Sequence, residues 1–90
     1  MHVADVEIFS DQTNAAIMRH PGRKFPGVLI QGDSLSILCS DADELCAKAK
    51  GVLSDDDYDD LNELRNSLRY YLTHYKKVLI EHGMRLPFSD

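Results

Sequence analysis

Four basic side chains crowd one short stretch: Arg19, His20, Arg23 and Lys24 flank the dipeptide Pro21-Gly22. Proline presets the backbone for the first central position of a tight turn, and glycine suits the second. Such a turn gathers the basic groups at one tip. A guanidinium binds carboxylate or phosphate through paired N–H donors, so the tip is a candidate site for a small anion or a nucleotide. The plainer alternative is that the arginines pair with the chain's own acids, such as Asp33 or the run 55–60. Gln31, Asp33 and Ser34 follow the next apolar run and join the candidate set, with a dimer as one way to complete the site.

The run Gly32-Asp33-Ser34-Leu35 resembles the nucleophile block of the GDSL esterases and lipases, in which the serine attacks an acyl carbon. The resemblance covers those residues alone. That family's fold needs a longer chain, and its Asp-x-x-His near the C-terminus is missing. Here His82 follows Ile80 and Glu81. A nucleophilic serine needs a positioned base and an oxyanion hole. The plainer reading is that Gly32 makes a turn and Asp33 or Ser34 caps a helix. No catalytic residue is assigned.

The acidic run 55–60 lacks the alternating oxygen ligands and central glycine of a calcium loop, and reads as a solvated helix start. His2, His20, His74 and His82 have no ligand-like pairing, and Cys39 and Cys46 sit on an apolar face. Tetrahedral metal sites need tighter spacing, so neither a metal nor a cofactor is implied. Tyr70 lies opposite the apolar stripe of the last helix, where an exposed aromatic could anchor a partner. The candidate ligand- or partner-binding residues are therefore Arg19, Arg23, Lys24, Gln31, Asp33, Ser34 and Tyr70.

These residues need a scaffold, and the chain has 90 residues to build it. That length suits a single small domain over 1–90 with a thin core. Hydrophobic residues make up 43% and charged residues 28%, an ordinary globular mixture. The formal net charge is −5, which argues against a nucleic-acid partner and suits a protein that covers a basic one. No signal peptide is expected, and no apolar run approaches the roughly 18–20 residues that span a bilayer. Two cysteines seven residues apart cannot bridge on one helix, so both are expected as reduced thiols in the cytoplasm.

Alternation over 3–9 predicts a first strand. Residues 15–19 predict a second, and Val28-Leu29-Ile30 a third that is buried on both faces. Pro26 delays the third strand, because it has no N–H to donate. A helix follows from Asp33 or Ser34, with its apolar positions at Leu35, Leu38, Ala42, Leu45 and Ala49 and a stop at Gly51. Ser54 caps a longer helix that ends near Gly83. The expected fold is α+β: an N-terminal three-stranded antiparallel meander, then an antiparallel two-helix hairpin packed on one sheet face. The expected core is Val6, Ile8, Ile17, Val28, Ile30, Leu35, Leu38, Leu45, Leu61, Leu64, Leu68, Leu72 and Tyr75. The shorter helix cannot cover 72–79, so that segment is expected against the sheet or a second copy. This favours a homodimer.

The run N-A-A-I-M-R-H-P-G-R-K-F-P-G-V-L-I-Q-G-D-S-L, residues 14–35, resembles the signature of a small bacterial family known only as a domain of unknown function. The likeness extends to Glu7 and Phe9 and to the acidic, Tyr- and Leu-containing C-terminal helix. It implies a fold unit and carries no activity or ligand. Small size, acidity and the lack of a catalytic constellation point to a non-enzymatic interaction module, immunity-like or regulatory, with an unidentified protein partner.

Overall fold

Cross-strand pairing defines the first part of the chain. A computed structural model describes residues 1–90 and divides them into two compact units, Met1–Gln31 and Gly32–Asp90. In the first unit β1 (Glu7–Ser10), β2 (Ala15–Arg19) and β3 (Gly27–Ile30) form an antiparallel sheet in the order β1-β2-β3. β1 starts later than the alternation over 3–9 suggests. Its partner strand ends at Arg19, opposite Glu7, so earlier residues have no ladder to join. Ile8 faces Met18 and Ser10 faces Ile17, which leaves Phe9 as the extra residue of a β-bulge.

β3 pairs only with β2, so it is an edge strand rather than a strand buried on both faces. Val28 is 59% exposed, and Val6, Ile8, Ile17 and Ile30 also lie outside the buried set. The expected core is corrected at these five positions. Strands of four or five residues carry too little area to enclose their own side chains, and an apolar triplet fixes strand propensity rather than burial.

The second unit is a helical hairpin of α1 (Gly32–Ala49) and α2 (Asp55–Glu81). Its buried hydrophobic residues are Leu35, Cys39, Cys46 and Leu72. Half-buried Ala42 and Ala49 continue the α1 seam, and Leu61, Arg65, Leu68, Tyr75 and Leu79 continue the α2 seam. Steps of three and four residues along both helices give a coiled-coil-like register. Leu38, Leu45 and Leu64, expected in the core, are exposed, as is Tyr71. On α1 the small residues Cys39 and Cys46 take the facing positions and let the helices approach. The bulkier Leu38 and Leu45 stand about 100° further round the helix and face outward.

Local signals set the helix ends. α1 begins at Gly32, so Asp33 and Ser34 lie inside its first turn rather than capping it. Gly51 (φ 78°) ends α1 in the left-handed conformation. Ser54 caps α2 by accepting from Asp57 N–H at 3.2 Å. At the far end Met84 N–H donates to the Leu79 carbonyl (2.9 Å) and Gly83 N–H to that of Ile80 (3.0 Å), with Gly83 at φ 66°. This is a Schellman closure. It reverses the chain and returns the tail. The Phe88 ring stacks on Tyr75 at 6.4 Å, Lys76 lies over Phe88, and Lys76 pairs with Asp90. Leu72 is buried with Leu35 and Cys39, against Phe88. Leu72 and Tyr75 are thus covered from within their own unit. No helix is long and apolar enough to cross a membrane.

Cys39 is 3% exposed, and burial pushes its thiol above the ordinary range, opposed in part by Arg69 and Lys76. Cys46 sits against the Leu61 carbonyl (3.9 Å). Thiolate is the reactive form, so Cys39 is expected to be inert in the folded chain, and Cys46 is shielded by its burial. A colorimetric thiol reagent at neutral pH should titrate neither cysteine natively and both in guanidinium chloride. Rapid native reaction of either would mean that the seam opens readily.

Candidate functional site

The turn between β2 and β3 closes as its sequence suggests. Arg23 N–H donates to the His20 carbonyl at 2.9 Å, which places Pro21 and Gly22 at the centre. Gly22 N–H donates to His20 Nδ1 at 3.0 Å. In the neutral imidazole Nδ1 is then the acceptor and Nε2 carries the proton. One hydrogen bond fixes the turn and the other fixes the ring beside it.

The four basic residues do not act as one cluster. Arg19 stands opposite Glu7 across the sheet, pairs with it at 2.6 Å and lies over the Phe9 ring. Its internal partner is therefore Glu7, rather than Asp33 or the run 55–60. Lys24 lies over Phe25, with its amine 5.4 Å from the ring centre. Arg23 forms no ion pair or side-chain hydrogen bond.

Arg23 and His20 border an open cleft of about 280 Å³ on the sheet unit. Val6, Met18 and Leu29 supply apolar surface, and Phe25 adds an aromatic wall. The register explains the grouping. Met18 faces Gly27 and Ala16 faces Leu29, so Met18 and Leu29 share one sheet face. Gly27 has no side chain there, and a Cβ at that position would meet nothing within 4 Å. The space beside Met18 exists because Gly27 leaves it open.

The remaining candidates belong elsewhere. Gln31 is exposed between β3 and α1. Asp33 accepts from Ser34 N–H at 2.9 Å within the first turn of α1, and Ser34 is half-buried. Gly32 lies directly beneath the Tyr75 ring, and Leu35 is buried in the hairpin. His82 is occupied by the Val78 carbonyl of its own helix (2.9 Å). The Gly32-Asp33-Ser34-Leu35 run therefore starts and packs a helix. Tyr70 is 72% exposed and meets Tyr71 edge-on, with Asn66 and Ser67 beside them.

A protein-family model matches residues 1–88 and so spans both units. The chain belongs to DUF6959, a family of unknown function. No curated protein and no solved structure matches it. Membership in DUF6959 agrees with the expectation of a family of unknown function and assigns no chemistry to the turn. Within this DUF6959 chain, sequence reasoning placed His20 and Arg23 together at the turn but missed Phe25 and Gly27 as their neighbours in one cleft. Strand register was the missing information: alternation shows that a residue has a face, and pairing shows which residues share it.

Proposed function

We propose that this DUF6959 protein is a non-catalytic interaction module that uses its acidic helical unit to cover a basic surface on a protein partner. The distribution of charge carries this reading. Residues 1–31 hold three acids and three Lys/Arg, whereas residues 32–90 hold twelve acids and seven Lys/Arg. The whole net charge of −5 therefore belongs to the helical unit. Asp55, Asp56, Asp57, Asp59 and Asp60 are exposed and make no ion pair. Unpaired surface charge steers association and makes it salt-sensitive. An immunity-like or regulatory role in the bacterial cytoplasm fits this picture, and the unbridged thiols suit a reducing compartment.

The wild-type protein, immobilised at low salt, should retain a partner that is released at high salt. A variant with Asp56, Asp59 and Asp60 changed to Asn should retain much less while keeping its helical content. Equal retention by both proteins, or retention indifferent to salt, would refute the acidic-face reading. Light scattering of the retained complex and of the free chain reports whether the partner is a second copy, since a homodimer remains part of the proposal.

A second reading is favoured by one observation: Arg23, without an internal partner, borders an apolar cleft beside His20. On that reading the turn 19–24 takes a small anionic ligand, with Arg23 as its main contact. Arg19, held by Glu7, contributes to the sheet rather than to the ligand.

A further inference from the structure

We infer that the cleft of the sheet unit binds a small monocarboxylate with an apolar tail, such as a medium-chain alkyl carboxylate. This rests on the second reading above and names its ligand class. The cleft offers two kinds of surface in a fixed order. Val6, Met18 and Leu29 form an apolar patch, and Phe25 stands beside it. At its border lie Arg23, whose side chain carries a guanidinium, and His20. The turn bonds from Arg23 N–H to the His20 carbonyl and from Gly22 N–H to His20 Nδ1 hold the backbone and ring that carry these groups. A ligand therefore meets partly preorganised donors, which reduces the ordering cost of binding.

Charge matching selects the head group. Arg19 is neutralised by Glu7, and Lys24 is placed over Phe25 and does not line the cleft. One unpaired guanidinium remains, with the His20 ring beside it in the lining. A carboxylate carries one negative charge and accepts two parallel N–H bonds from arginine. A phosphate dianion would leave charge uncompensated beside apolar walls, where desolvation is costly. The volume, about 280 Å³, lies at the small end of ligand sites. That leaves room for a short chain or one ring rather than a nucleotide. Gly27 adds no side chain to the lining, and a Cβ there, opposite Met18 on the sheet, would enter open space.

Octanoate is the probe, with octanol and inorganic phosphate as separate controls for the tail and the charge. Two-dimensional NMR titration of the full chain should give saturable shifts at Val6, Met18, Arg23 and Leu29. Octanol and phosphate should each bind at least tenfold more weakly. Arg23→Gln should weaken octanoate by tenfold or more while leaving octanol unchanged. Gly27→Leu should abolish both by filling the cleft, and its backbone φ requires no glycine. Unchanged strand resonances would confirm that both variants fold. Octanoate binding that ignores both substitutions, or shifts confined to residues 32–90, would overturn the proposal. Arg23-dependent binding of phosphate without octanoate would overturn the carboxylate and leave the anion reading standing. No binding of either would remove both.

Discussion

Leu72→Ala is expected to unfold most of the helical hairpin at room temperature. Leu72 is 5% exposed and packs with Leu35 and Cys39, while Leu68 and Phe88 close around that cluster. Truncating a buried leucine costs about 2–5 kcal/mol, through lost transfer energy and the cavity left behind. A small domain holds only roughly 0.05–0.15 kcal/mol per residue, so the loss is a large share of what is available and matches the whole of it at the low end of that range. The hairpin has few other buried side chains to share the load. Helical circular dichroism followed through a urea titration should show the midpoint collapsing towards zero denaturant. Leu64→Ala, on the same helix but 60% exposed, should stay within about 0.5 kcal/mol of wild type. Equal losses at the two positions would mean that the seam runs along a different face.

That contrast also shows what the sequence could and could not disclose. Leucine spacing on α2 marks a stripe, and both Leu64 and Leu72 lie near it. A heptad seam and a straight 3.6-residue stripe differ by only about 20° per heptad, so hydrophobicity alone cannot decide which leucine faces the partner. The partner decides it. On α1 the facing residues are Cys39 and Cys46 rather than Leu38 and Leu45, a choice made by close approach that no single-helix pattern reveals. The element order, the tight turn at Pro21-Gly22, the Ser54 cap and the Gly83 stop were legible because each depends on residues close in sequence. The strand core was not, because burial depends on what lies over the sheet. The same division applies to the candidate site. Arg23 was visible as a charge, but the pairing of Arg19 with Glu7 depends on a register across twelve residues.

Gly32→Ala should destabilise the hairpin, although helix propensity argues the reverse. Alanine is favoured over glycine within helices by about 1 kcal/mol, so an unconstrained exchange near the start of α1 would be neutral or helpful. Gly32 is constrained. A Cβ there would overlap the Tyr75 ring, which is itself stacked on Phe88. A retreat of the ring would alter its stack on Phe88. Overpacking of this kind costs about 1–3 kcal/mol. The decisive comparison is the same substitution in a Tyr75→Ala background, where the overlap is gone and propensity alone should act. There Gly32→Ala should be neutral or stabilising, with a coupling of about 0.5–3 kcal/mol between the two sites. An equal loss in both backgrounds would mean that Gly32 is needed for its backbone rather than for the ring. A sign change would fix the role of the first residue in the Gly32-Asp33-Ser34-Leu35 run. Glycine stands there to let an aromatic ring close the helical unit, and the serine that follows inherits its position from that packing.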